Sequence, residues 1–137
     1  LASLMNNKGI IIANESDRKR INILSKNIQR CSVINTIITN HSGDKINPKF
    51  SFDKILLDAP CSGTGLIKGP TKRTSYTLKV WNENTSRRLS KLQKKLILHS
   101  FDLLKNNGTL VYSTCSLEPD EDERIIEFLL NKRENDI

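Results

Sequence analysis

Of its 137 residues, this chain spends only three on cysteine, two on histidine, four on proline and six on glycine. The cysteines stand at 31, 61 and 115. Their odd number and irregular spacing exclude a disulfide framework and predict free thiols in a reducing compartment. There is no CxxC, and His41 and His99 stand at no ligand spacing, so no metal centre is expected. The longest apolar run, Ile10–Ile12 with Ala13, falls far short of the ~20 residues that span a bilayer, so no membrane partner is expected. No charged-then-apolar leader is present, and position 1 is leucine in what reads as the tail of a helix. Repeats and interdomain linkers are lacking too, which favours one domain over residues 1–137. Hydrophobic residues make up 36%, below the globular norm of roughly 45–50% even with glycine added. Isoleucine and leucine remain plentiful, so the chain is neither collagenous, coiled-coil, mucin-like nor disordered.

What is abundant is positive charge, 22 Lys+Arg against 15 Asp+Glu, and it is unevenly placed. Residues 61–105 carry 10 basic and 2 acidic side chains, whereas residues 106–137 carry 3 and 8. Lys68, Lys72, Arg73, Lys79, Arg87, Arg88, Lys91, Lys94 and Lys95 form a block that suits either a polyanion such as nucleic acid or a solvated face.

The chain reads as alternating strands and helices. Residues 10–14 form a short apolar strand, and Ser16-Asp17 can cap a helix with Ile21, Leu24, Ile28 and Cys31 on one stripe. That stripe makes Cys31 a buried structural cysteine. Strands are expected over 33–39, 52–57 and 109–113, and a long surface loop over 62–85. A helix over 86–105 should bury Leu89, Leu92, Leu96 and Leu103 and stop at Asn106-Asn107-Gly108. A last helix begins near Pro119. Its acidic start, Asp120–Glu123, and basic end, Lys132-Arg133, match the helix dipole, so the acids read as structural rather than metal-binding. Strands apolar throughout, suited to burial on both faces, argue for an α/β domain with a mostly parallel sheet.

Ligands of such sheets bind beyond the carboxyl ends of the strands. Three of these ends carry unusual residues: Glu15, the Asp58-Ala59-Pro60-Cys61 run, and Thr114-Cys115-Ser116. Glu15 suits a ribose diol, a helix cap or solvent equally well. Cys61 and Cys115 lie in polar Gly/Ser/Thr turns, unlike core cysteines, and they face one crevice if their strands are neighbours.

Asp58-Ala59-Pro60-Cys61-Ser62-Gly63-Thr64-Gly65, followed 54 residues after Cys61 by Ser113-Thr114-Cys115-Ser116, resembles the Nop/Sun family of RNA cytosine-5 methyltransferases. Leu110-Val111-Tyr112 and the acids after the second motif fit as well. Lys79 and Trp81 fit loosely, since the family has Lys and Trp adjacent. The resemblance runs through nearly the whole chain. It implies a Rossmann-like class I methyltransferase sheet, S-adenosylmethionine as cofactor, and an RNA substrate, tRNA or rRNA. It also implies a cytoplasmic location, or a nuclear or nucleolar one in a eukaryote. By the same resemblance Cys115 is the nucleophile, and Cys61 helps to resolve the adduct and release product. Asp58 contacts the cytosine edge and lies near the cofactor, whose ribose is held at Glu15. The 66–85 loop is the candidate for gripping RNA.

Two departures stand out. The family's adenine-contacting Asp before a Gly is Ser42 here, with Asp44 on the other side of Gly43. The family's Gly-rich cofactor loop, its first strand and its last two strands find no counterpart. An incomplete sheet is therefore expected, with poor cofactor binding and little activity for this polypeptide alone. A non-catalytic RNA-binding remnant of the family is the alternative reading. A cysteine hydrolase is disfavoured, because neither histidine lies near a strand-end motif.

Overall fold

A computed structural model describes residues 1–136, the side chains of Arg73 and Val80 excepted. Two compact units divide at Asn47/Pro48. In the first, residues 2–7 form turns, not a continuous helix, with Asn6 and Asn7 in the left-handed region. Strand β1 (Ile11–Asn14), helix α1 (Arg18–Arg30) and strand β2 (Thr36–Thr39) follow, then a 3-10 turn over Gly43–Lys45. Asp17 caps α1 by accepting from the Lys19 N–H at 2.8 Å, as the Ser16-Asp17 pair predicts. The strands are parallel, with Ile11 opposite Thr36 and Asn14 opposite Thr39. Cys31 corrects the stripe argument: it is exposed, because the helix ends at Arg30 and leaves it as the C-cap.

In the second unit, strand β3 (Phe52–Asp58) pairs in parallel with strand β4 (Leu104–Ser113). Between them run a 3-10 turn (Thr64–Leu66), helix α2 (Lys72–Val80) and helix α3 (Glu83–Asp102); helix α4 (Glu123–Lys132) follows β4. The stretch expected as a long loop is therefore largely helical. Two local caps account for it: Thr71 accepts from the Thr74 N–H at 3.1 Å, and Asn82 from the Thr85 N–H at 2.9 Å. Among the described side chains of α2, the buried ones are Thr74 and Thr77, and Tyr76 and Leu78 are exposed.

Of the leucines expected to be buried on α3, Leu96 and Leu103 are buried and Leu89 is half-buried. The buried positions within the helix are Ser86, Ser90, Gln93, Leu96, Ile97 and Ser100, and Leu92 is exposed. The core forms where Ile97, Ile125 and Leu129 meet, flanked by Leu57, Phe101, Leu110 and Tyr112. Asn106-Asn107-Gly108 does not end the helix, which stops at Asp102; it forms an irregular stretch of β4, with Asn107 at φ 62°.

All strand pairs are parallel and form two separate two-stranded sheets, β1–β2 and β3–β4, an incomplete sheet as expected. The strands are not buried on both faces: Ile37, Leu56 and Val111 are each about half exposed. In the second unit, α3 and α4 pack on one side of β3–β4 and leave Leu56 and Val111 open. No described helix is long and apolar enough to cross a membrane.

Candidate active site

The register of the second sheet builds the site. Asp58 is paired with Ser113, so the two chains leave the sheet side by side, and Ala59 N–H bonds to the Ser113 carbonyl at 2.9 Å. Three residues on from Asp58 and two on from Ser113, the thiols of Cys61 and Cys115 meet, with their Sγ atoms 2.9 Å apart. The Cys115 N–H also donates to Cys61 Sγ at 3.2 Å. Asp58 sits at the same strand end and accepts from Ser113 Oγ at 3.2 Å. The three residues expected to form the catalytic group are thus brought together.

The turns around them interlock. Ser62 Oγ and Ser116 Oγ are 3.1 Å apart, Leu117 N–H donates to Thr64 Oγ1 at 2.9 Å, and Gly65 N–H donates to the Cys115 carbonyl at 3.0 Å. Two glycines are required here. Gly63 has φ +74°, a region that side chains disfavour. A Cβ on Gly65 would stand 3.0 Å from the Cys115 carbonyl oxygen.

The surroundings act on the Cys61 thiol. Burial, then the hydrogen bond with Cys115, pushes Cys61 from 9.0 up to about 11. Cys61 therefore keeps its proton at neutral pH and can donate it toward Cys115 Sγ. Cys115 is the exposed member of the pair. Tyr112 beneath them donates to the Glu121 carbonyl at 2.7 Å; burial, with the nearby Asp122 and Glu121 charges, raises its phenol well above the usual range.

Glu121 is the residue that sequence reasoning missed. It was grouped with the acids opening the last helix, yet α4 starts at Glu123 and Glu121 is fully buried under the Cys61 turn. The available signal was Gln93, a polar residue at helical spacing within the α3 stripe.

Glu15 and the 42–44 segment belong to the first unit, where both follow the carboxyl ends of β1 and β2. Glu15 accepts from Asp17 N–H at 3.0 Å and pairs with Arg20 at 3.1 Å, at the edge of a shallow depression that also includes Ala13, Asn14, Ile23 and Leu24. Asn40 Nδ2 ties the two ends together through the Glu15 and Ser16 carbonyls, at 2.6 and 3.0 Å. Ser42 Oγ donates to Asp44, so both candidates for the missing adenine contact are engaged with each other.

The basic block lies on α2 and α3 and in the segment before α2. Lys68, Lys72, Lys79, Arg88, Lys91 and Lys95 are exposed. Arg87 pairs with Glu83 at 3.3 Å, and Lys94 lies over the Phe128 ring of α4 at 5.3 Å. The Arg73 side chain lies outside the described residues. No cluster of metal-ligating side chains occurs among the described residues.

Comparison with known proteins places these observations. Residues 1–136 match the family described as 16S rRNA methyltransferase RsmB/F. The chain is 43% identical over 142 residues to the 25S rRNA (cytosine-C(5))-methyltransferase nop2 of Schizosaccharomyces pombe, covering 98% of this chain and 22% of that protein. It is 40% identical over 135 residues to the ribosomal RNA small subunit methyltransferase F of Psychromonas ingrahamii, covering 96% and 27%. The crystal structure of NSun6 from Pyrococcus horikoshii with SFG superposes with a TM-score of 0.83 at 30% identity, covering 96% and 33%. The chain thus spans about a quarter of the length of these curated relatives.

Proposed function

The chain belongs to the 16S rRNA methyltransferase RsmB/F family, and from that premise we propose that it carries the cysteine chemistry of an RNA cytosine-5 methyltransferase. The observation that carries this reading is the pair of strand-end thiols, Cys61 and Cys115, with sulfurs 2.9 Å apart. Carbon 5 of cytosine is a poor nucleophile until its ring loses aromaticity. Cys115, the exposed thiol, is assigned the covalent step: as a thiolate it forms a bond to carbon 6, and the 5,6 electron pair moves to carbon 5. S-adenosylmethionine, when bound, supplies the methyl group that carbon 5 takes up. Solvent water then takes the carbon 5 proton, the electron pair of that C–H bond restores the 5,6 double bond, and the Cys115 thiolate is expelled. Cys61 is assigned to this release, because it holds a proton at neutral pH beside the departing sulfur. Asp58, exposed at the same strand end, is assigned to the cytosine edge.

The residues of the first unit fit the cofactor in part. Glu15 presents a partly buried carboxylate beyond β1, suited to a ribose diol, and its engagement with Arg20 leaves acceptor capacity on both oxygens. Ser42 and Asp44 are the candidates at the adenine end. The substrate is RNA, ribosomal RNA in the first instance because both curated relatives are named for it. Its target base has to leave the stack to reach the thiols. The exposed lysines on and before α2 replace the expected loop as the candidate grip on the phosphate backbone.

The test is RNA carrying 5-fluorocytosine, whose fluorine occupies the place of the proton that must leave. The complete protein with S-adenosylmethionine should form an adduct that survives denaturation. The adduct should be lost in Cys115→Ala and kept in Cys61→Ala; the opposite pattern reverses the two roles, and no adduct in either the parent or the variants ends the reading.

A further inference from the structure

Two fully buried polar side chains, Gln93 and Glu121, lie under the Cys61 turn and have no part in the chemistry above. Gln93 Nε2 donates to the Pro60 carbonyl at 2.8 Å and to Glu121 Oε2 at 3.2 Å. The same Glu121 oxygen accepts from the Ser62 N–H at 2.8 Å. The Pro60 carbonyl and the Ser62 N–H belong to the two peptide groups on either side of Cys61. Both planes are therefore fixed, one from α3 and one from the segment that follows Cys115. Glu121 is itself held by Tyr112, which donates to its carbonyl from β4.

Such an arrangement is costly if its only role is packing. A buried carboxylate loses much hydration energy, and Gln93 Oε1 and Glu121 Oε1 find no hydrogen-bond partner among the described residues. Apolar side chains of similar volume would fill the same space without that loss. What they could not supply is one donor and one acceptor, aimed at the two peptides of Cys61. We propose that Gln93 and Glu121 are positioning residues that clamp both peptide groups of Cys61 and so keep its sulfur against that of Cys115. Their role in turnover rests on the cysteine assignment made above; the clamp itself is a statement about thiol geometry.

The test uses the full chain with Cys31→Ser, which removes the third thiol. Dibromobimane becomes fluorescent when both its bromines are displaced by neighbouring thiols, so the rate of bridging reports how well Cys61 and Cys115 are held together. In Gln93→Leu and Glu121→Leu that rate should fall about tenfold, the loss expected for hydrogen bonds involving a charged group. Single-thiol labelling of the exposed Cys115 should not change. Glu121→Gln keeps an acceptor oxygen for Ser62 and should restore bridging to within about twofold, a rescue that general damage to the fold would not give. Unchanged bridging in Gln93→Leu overturns the clamp, and so does a loss in Glu121→Gln as large as in Glu121→Leu. If Glu121→Leu fails to fold, Gln93→Leu and Glu121→Gln decide the matter. The 5-fluorocytosine adduct reports separately. An adduct with unchanged bridging removes the clamp alone, and a tenfold loss of bridging without any parental adduct removes the methyl-transfer reading alone.

Discussion

Alkylation of Cys61 as a function of pH puts the division of labour between the two thiols to a direct measurement. Only the thiolate reacts with iodoacetamide at a useful rate, so the rate follows the ionised fraction. Burial and the bond with Cys115 move Cys61 from 9.0 to about 11. At pH 8 that leaves about one Cys61 in a thousand ionised, against about one in ten for a thiol at 9.0, a difference of about a hundredfold. The exposed Cys31 is the reference within the same molecule. Peptide mapping by mass spectrometry after timed exposure should find Cys61 alkylated far more slowly than Cys31 at pH 8. Its rate should climb about tenfold per pH unit to pH 10 or beyond. Replacing Cys115 by Ala removes the thiol–thiol bond but not the burial, and should speed Cys61 modification without making it equal to Cys31. A Cys61 rate that matches Cys31 at pH 8, or that levels off below pH 9.5, would refute the reasoning and leave Cys61 as eligible a nucleophile as Cys115.

The same direction of shift governs alkaline stability. Cys61 and Tyr112 both hold their protons more tightly folded than unfolded; the Cys61 contribution is complete below about pH 9 and is lost as pH rises toward 11, and that of Tyr112 begins to be lost only above about pH 10. Denaturant titrations should show a midpoint that falls across that window, and a flat profile would contradict both shifts. Ile97→Ala empties the centre of the Ile97–Ile125–Leu129 core and should cost about 2–5 kcal/mol in chemical denaturation. A loss below about 1 kcal/mol would mean that this core is not what stabilises the second unit. Gly65→Ala forces its methyl against the Cys115 carbonyl oxygen at 3.0 Å and should cost about 1–3 kcal/mol. It should also slow bimane bridging of the two thiols.

Much of the local structure was legible because it depends on neighbours in the chain. The Asp17 cap and the acid-to-base polarity of α4 each follow from a few adjacent residues, and the parallel pairing from the order of strands and helices. The long loop was misread because α2 is organised by the Thr71 cap and buried threonines, which carry no apolar periodicity. Leu92 continues the leucine pattern, yet it is exposed and Gln93 beside it is fully buried. Cys31 continued a convincing stripe, but the helix ended one residue before it.

Sequence alone determined the chemistry of the strand ends: two cysteines in polar turns, an aspartate three residues before one of them, and glycines where the turns tighten. It could do so because residue type and turn composition are local properties of the chain. Tertiary structure decided how the two thiols are held. The β3–β4 register set the two sulfurs side by side, and burial raised the Cys61 thiol. Structure also moved Glu121 from an apparent helix-dipole run to the underside of the Cys61 turn. Burial and register depend on segments tens of residues apart meeting at one place, and no window along the chain contains that information.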